Sequence, residues 1–183
     1  MLLYAGLRIG ELCALRWRDV ELAGGWLHVG EAKTDAGRRD VKIRGALRDE
    51  LSALRARHSG PADGYVFPTR TGAVLRPENF RNRVLAAAVK RANKTLTEAE
   101  RQPLPEGLTP HTLRRTLCSV LYVLEPDPAV VMEEMGHTDP ALALRVYRQA
   151  MRRGEDERAQ LQALVEGVAQ TGAAEAAKFK QVA

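Results

Sequence analysis

The stretch Pro110-His111-Thr112-Leu113-Arg114-Arg115-Thr116-Leu117-Cys118-Ser119-Val120-Leu121-Tyr122-Val123-Leu124 decides how the rest of the chain is read. A proline can open a helix, because its missing N–H falls where no intrahelical acceptor is available. Leu113, Leu117, Val120, Leu121 and Leu124 then recur at helical intervals and predict one buried side. His111 and Arg114 stand three apart and share a face, expected to point toward solvent or a ligand while the leucine side is buried. Pro126 and Pro128 end that helix, Ala129 to Met135 forms a short one, and Pro140 introduces a helix carrying Tyr147. A second polar block, Gly136-His137, lies between those last two.

Upstream, Gly6 interrupts an apolar opening segment, and Ile9, Leu12, Cys13 and Leu15 trace a short helical face, which places Arg8 at a helix entrance. Trp26 to Val29 alternates as a strand does, and Val41 to Ile43 can return antiparallel to it, with Gly37 helping the turn. Lys33 would then sit near a hairpin tip, where a long cation can swing over a ligand. Leu47, Leu51 and Leu54 predict a helix, Tyr65 to Phe67 a short strand, and Pro77 followed by Phe80, Val84, Leu85 and Val89 a further helix. Residues 91–109 are polar, hold Pro103, Pro105 and Gly107, and read as a linker or insertion of low packing value. Beyond Glu155, the residues Leu161, Leu164, Val165 and Val168 form the apolar stripe of a short amphipathic helix. Residues 171–183 have little to bury and are expected to fray or stay mobile. Together these elements predict a mainly α fold with a small antiparallel β-sheet.

A chain of 183 residues with 45% apolar content can bury one core, so one domain is expected rather than disorder. Lys and Arg number 28 against 23 Asp and Glu, a net of +5. The excess is uneven: residues 1–120 hold 21 basic and 13 acidic side chains, residues 121–183 hold 7 and 10. The basic part carries most of the polar blocks, as a polyanion partner would require, although ordinary surfaces also show such an excess. Cys13 and Cys118, the only cysteines, both lie among apolar residues and read as buried free thiols, hence a reducing, cytosolic setting. No charged leader precedes an apolar stretch and no apolar run approaches about 18 residues, so neither secretion nor membrane spanning is supported. The opening segment reads as the end of a helix, and a preceding segment is expected.

Arg8, Lys33, His111, Arg114, His137 and Tyr147 supply two guanidinium groups, one ammonium, two imidazoles and a phenol. That set suits a phosphate clamp with a nucleophile: fixed donors meet the charge on the nonbridging oxygens while a hydroxyl attacks in line. A nucleic-acid phosphodiester is the expected substrate. Two arginines on separate elements can converge on one phosphate, each offering a planar fork of donors that lysine lacks. Glu11, one turn below Arg8, suits orienting that arginine or capping backbone rather than attack or metal binding. Each block has a plainer reading when taken alone: a surface arginine, a surface His–Arg pair, a core or surface tyrosine. Zinc is the competing use of the histidines, but no cysteine or carboxylate cluster stands near them at ligand spacing. Tyr147 is set apart from Tyr4, Tyr65 and Tyr122, which lie in apolar or strand-like surroundings, because Arg145 and Arg148 flank it. A phenol attacks poorly unless its deprotonation is assisted or its developing phenolate is stabilised.

In this order the blocks resemble the catalytic domain of the tyrosine recombinases, the phage integrase family. The matching pieces are Ala5-Gly6-Leu7-Arg8-Ile9-Gly10-Glu11-Leu12 with Leu15-Arg16-Trp17-Arg18-Asp19, Lys33-Thr34 followed by Arg39, His111-Thr112-Leu113-Arg114-Arg115-Thr116, Met135-Gly136-His137-Thr138-Asp139-Pro140, and Tyr147. The resemblance implies the tyrosine recombinase catalytic-domain fold over residues 1–152, without its first helix and the usual preceding core-DNA-binding domain, and a C-terminal helix and flexible tail over 153–183. It implies a site-specific recombinase or integrase that cleaves and rejoins double-stranded DNA through a covalent 3′-phosphotyrosine. By resemblance Tyr147 is the nucleophile, Lys33 the general acid for the 5′ oxygen, His111 an acid/base and phosphate partner, His137 a donor to the phosphate, and Arg8 and Arg114 the clamp. No cofactor is implied: neither ATP nor a metal is needed, since the arginines take the place of a metal's charge. Self-association as a DNA-bound tetramer is implied in a full-length context, with the C-terminal stripe packing onto a neighbouring copy; the plainer reading of that stripe is that it covers its own domain. The chain departs from the family's usual pattern in its start, in Glu125 where a glycine commonly ends the helix, and in the long 91–109 segment. A truncated, inactive DNA-binding remnant or accessory protein is the alternative, and a metal-dependent nuclease a distant third class.

Overall fold

The alternation in Trp26-Leu27-His28-Val29 is realised as a strand, and its inward side chains show where the core lies. The computed structural model describes residues 1–30, 38–58, 60–137, 141, 147 and 155–166. Three short strands, β1 (Val20–Glu21), β2 (Trp26–Val29) and β3 (Arg39–Lys42), form an antiparallel sheet in the order β1-β2-β3. The register pairs Leu27 with Val41 and Val29 with Arg39, so Leu27, Val29, Val41 and Arg39 face inward. Trp26, His28, Asp40 and Lys42 face out. The returning strand starts two residues earlier than its apolar pattern suggested, because its first inward position is an arginine. Burial of Leu27 and Val41, both fully covered, contributes about 1.5–3 kcal/mol each.

Before the sheet lie α1 (Ile9–Ala14) and a 3₁₀ turn at Trp17–Asp19; after it α2 (Gly45–Arg57) buries Leu47 and Leu51. Tyr65 makes one isolated bridge with Arg16 instead of a strand. Next, α3 (Pro77–Asn79) runs through a π-helical segment (Phe80–Leu85) into α4 (Ala86–Glu98). The expectation of a linker from residue 91 is thus corrected as far as Glu98, since Ala, Lys and Leu are good helix formers. The low packing value is borne out: α4 has no buried residue.

The quoted stretch forms α5 (Pro110–Leu124), with Pro110 in its first turn and the Thr109 hydroxyl accepting from the Thr112 amide at 3.1 Å. Glu125 caps its C-terminus with extended backbone at φ −95°, where no glycine is required. Asp127 caps α6 (Pro128–Met135), and α7 (Glu155–Glu166) closes the described chain.

Two apolar clusters result. The first gathers the opening segment, α1, the sheet and α2; the second gathers Leu117, Cys118, Leu121 and Tyr122 of α5 with Val131 and Met135 of α6. Gly6 lies at their junction with φ +59°, and a Cβ there would come within 2.8 Å of Met135 Sδ and 3.2 Å of Leu117 Cδ2. Both conformation and space therefore demand glycine. Cys13 and Cys118 are buried free thiols whose pKa burial pushes up.

The C-terminal stripe divides. Val165 is buried, Leu161 packs on the second cluster and Leu164 is 50% exposed, while Val168 and residues 171–183 lie outside the described residues. A Cβ on Gly45 would meet the Glu166 carbonyl oxygen at 2.5 Å, so α7 ends tightly against the start of α2. Of the two readings of the stripe, Leu161 and Val165 follow the one in which it covers its own domain. Among the described residues, no helix is long and apolar enough to cross a membrane.

Candidate active site

Two backbone carbonyls at the seam between the clusters explain why an arginine can be buried in α5. Arg114 is 5% exposed and falls on the same stripe as Leu117, Cys118 and Leu121, at i, i+3, i+4 and i+7. Its Nη1 donates to Gly6 O and its Nη2 to Met135 O. The reading that His111 and Arg114 share a solvent face is therefore corrected: His111 is exposed, but Arg114 points inward. A guanidinium carries five N–H groups, so three remain after those two bonds. Burial, reinforced by the charges of Arg8 and Arg39, lowers the Arg114 pKa to about 10, which leaves it cationic at neutral pH.

Arg8 precedes α1 in extended conformation, with its side chain 45% exposed. Its Nη1 donates to Glu11 Oε1 at 2.8 Å and its Nη2 to Gly136 O at 2.7 Å. Glu11 also accepts from the Arg8 backbone N–H at 2.6 Å, combining the orienting and capping uses read from its position. Residues 128 positions apart in sequence are thereby joined.

The α6 terminus supplies the third wall. Gly136 adopts left-handed backbone, φ +61°, and the His137 amide returns to Met132 O at 2.9 Å, closing the helix in a Schellman-like turn. His137 emerges from this turn half-buried, and its Nδ1 is buried without a hydrogen-bond partner among the described residues. An unpaired lone pair is more readily tolerated than an unpaired N–H, which favours the neutral tautomer with its proton on Nε2. Burial, then the charges of Arg114, Arg8, Arg39 and His111, lower the His137 pKa. Arg8, Arg114 and His137 thus share one cationic locality, with the His111 charge close enough to be felt.

Arg39 is the participant whose role sequence reasoning missed. Only 2% of its side chain is exposed, and Nε donates to Glu134 O at 2.8 Å while Nη1 and Nη2 grip Glu11 Oε1 and Oε2 at 3.0 and 2.9 Å. Burial alone would raise the Glu11 carboxyl, but hydrogen bonds from Arg39 and from the Arg8 amide and guanidinium hold it at about 2. Position i−2 to Val41 in an alternating strand was the available signal that Arg39 faces inward. A second ion pair, Arg44 with Glu134 at 2.6 and 2.9 Å, ties the α6 end to the segment after β3.

Lys33 falls between β2 and β3, outside the described residues. Tyr147 is described, but it is not brought to the clamp. Its hydroxyl donates to Pro126 O at 3.1 Å, and its ring stands edge-on to Tyr122 with centroids 6.3 Å apart. Tyr122 lies in the last turn of α5 and Pro126 two residues beyond its end; residue 124 lies about 15 Å along the helix axis from residue 114. A groove of about 880 Å³, lined by Trp26, His28, Arg44, Leu124, Val130 and Glu134, opens across the outer face of the sheet and includes none of Arg8, His111, Arg114 or His137. Within the clamp, Arg8 and His111 are exposed, His137 is half-buried and Arg114 is buried. Among the described residues no group of His, Cys, Asp or Glu could hold a metal ion.

The sequence profile of the phage integrase family matches residues 1–153. The tyrosine recombinase XerC of Xanthomonas axonopodis pv. citri is 31% identical over 137 residues, covering 75% of this chain and 41% of that protein. XerC of Azotobacter vinelandii is 35% identical over 140 residues, covering 75% of this chain and 42% of that protein. The chain thus spans about two-fifths of the curated relatives it matches. Among solved structures, the Tn1549 transposon integrase in complex with transposon right end DNA superposes with a TM-score of 0.65 at 21% identity, over 88% of this chain and 55% of that one. The XerA recombinase gives 0.57 at 23%, over 82% and 51%. The mostly helical fold with its three-stranded antiparallel sheet is that of tyrosine recombinase catalytic domains, and the chain belongs to the phage integrase family.

Proposed function

We propose that this chain carries the catalytic domain of a site-specific DNA recombinase, over residues 1–152, followed by a C-terminal helix and tail over 153–183. Tyr147 attacks a phosphodiester of double-stranded DNA. Its oxygen bonds to phosphorus as the bond to the 5′ oxygen breaks, leaving a 3′-phosphotyrosine and a 5′-hydroxyl. His111 takes the phenol proton and Lys33 gives a proton to the departing 5′ oxygen. Attack by another strand's 5′-hydroxyl reverses each step, so the phosphoester bond is conserved and no ATP is consumed. Arg8, Arg114 and the Nε2–H of His137 face the nonbridging oxygens, and the three N–H groups on each guanidinium that are not bonded among the described residues provide the donors.

The observation that carries this reading is the convergence of Arg8, Arg114 and His137 through carbonyls of Gly6, Met135 and Gly136, across more than a hundred residues of sequence. The relatives named as tyrosine recombinases, and structural neighbours solved on DNA, support it. Assembly is proposed as a DNA-bound tetramer of the full-length protein. Tyr147 must leave the Pro126 carbonyl to reach the clamp.

The test uses a nicked duplex library with randomised flanks, from which the short 5′-hydroxyl fragment diffuses away after cleavage and traps the adduct. Covalent protein–DNA species are expected from the parent chain and not from Tyr147→Phe, which should bind DNA nearly as well. Adduct persisting in Tyr147→Phe would reject Tyr147 as nucleophile. Parent chain that binds DNA without forming adduct would favour the remnant reading.

A further inference from the structure

Arg8 is the most exposed of the three arginines at the site, and long exposed side chains ordinarily sample many rotamers. Here it is fixed at two points, Glu11 Oε1 and Gly136 O. Neither anchor is held in place by Arg8 alone. The Glu11 carboxylate is gripped by both Nη groups of Arg39. The turn presenting Gly136 O begins at Glu134, whose carbonyl accepts from Arg39 Nε. A Cβ on Gly136 would lie 3.1–3.3 Å from Arg39 Cδ, Nε and Nη1, so the turn rests directly on that side chain. One planar fork therefore sets the separation between α1 and the α6 terminus.

We propose that Arg39 is a positioning residue for the phosphate site: without facing the phosphate, it aims Arg8 by holding both of that side chain's anchors. This rests on the recombinase reading. Lysine cannot replace it, because a single ammonium cannot meet two carboxylate oxygens and a carbonyl in this plane. Its position also links the clamp to the strand that follows the Lys33-bearing connection.

The experiment is a double-mutant cycle of Arg8→Ala, Arg39→Lys and the pair, read as the rate of covalent adduct formation on the nicked duplex and, separately, as affinity for the same duplex. Measurements are made at a temperature where thermal unfolding shows every variant folded. Arg39→Lys should slow adduct formation about 100-fold, as expected for an ångström-scale misplacement of a reacting group. If Arg39 acts through Arg8, the pair should be no slower than Arg8→Ala alone. Multiplying effects would overturn the proposal and reduce Arg39 to a general structural contact, as would an unchanged rate in Arg39→Lys. Should Arg39→Lys not fold, Arg39→Gln, whose amide can still donate toward Glu134 O, is taken through the same cycle. Parent chain that forms no adduct counts against the recombinase reading; the cycle is then decided on duplex affinity, where non-additivity supports the positioning role and additivity contradicts it.

Discussion

The site has an inner layer and an outer layer built from the same kind of side chain, and they behave differently. Arg114 and Arg39 are buried and bonded to carbonyls and to one carboxylate; Arg8 and His111 reach solvent, and His137 is half-buried. The inner cations hold the seam between the two apolar clusters, and the outer ones are presented by what the inner ones hold. Loss of an inner residue should therefore damage stability and chemistry together, whereas loss of an outer one should damage chemistry with little cost in stability.

The largest effect is expected at Arg114, which serves both layers. Arg114→Lys should cut the cleavage rate about 100- to 1000-fold, the scale for losing a donor to a developing charge, on ordinary DNA and on a 5′-phosphorothiolate substrate alike. It should also cost about 2–4 kcal/mol in denaturant unfolding, because the Gly6 and Met135 carbonyls lose well-placed donors. Lys33→Ala offers the contrast: cleavage of ordinary DNA should slow far more than cleavage of the phosphorothiolate, whose sulfur leaves with little proton assistance. Equal slowing with both substrates would remove Lys33 from the general-acid role.

Glu11→Gln should come next, destabilising by about 3 kcal/mol, since it removes the carboxylate that neutralises Arg39 beneath Arg8. The Glu11 pKa is depressed on folding, so its contribution is present above its ordinary 4.5 and is lost as pH falls through about 2. The parent chain should lose more stability than Glu11→Gln across that window in acid titrations monitored by circular dichroism. Similar losses would mean that the inner layer does not depend on this carboxylate.

His137 belongs to the outer layer and should behave differently. Its pKa is lowered on folding, so the unfolded chain takes up the proton first and the stability of the DNA-free protein should decline as pH drops below 6.5. His137→Gln should flatten that slope while leaving stability at pH 8 nearly unchanged. Bound DNA phosphate should raise the imidazole pKa, measurable from its NMR titration. The smallest effects lie far from the site: Leu164→Asp should change stability by no more than about 0.5 kcal/mol, and Val165→Asp by several times that. Equal effects would contradict the packing of α7 on its own domain.

Much of this organisation was legible from pattern alone. Pro110 and the leucines after it locate α5, Gly136 marks the end of α6, and the strand alternation at Trp26 to Val29 finds the sheet. The inward turn of Arg114 was not legible, because the stripe through 117, 118 and 121 includes position 114 only if its guanidinium finds acceptors, and those carbonyls come from residues 6 and 135. Strand alternation signalled that Arg39 faces inward, but its pairing was hidden because its acceptors lie on α1 and α6. Tyr147 could be named by its neighbours and by family resemblance, but its bond to the Pro126 carbonyl depends on tertiary packing that periodicity does not encode.

The most direct test of the central claim is peptide mass spectrometry on the covalent species trapped with the nicked duplex after nuclease digestion. A nucleotide attached through its 3′-phosphate to the peptide containing Tyr147, and absent from Tyr147→Phe, is the predicted result. A nucleotide on any other residue, or trapped DNA joined through a 5′-phosphate, would contradict the proposed chemistry at this clamp.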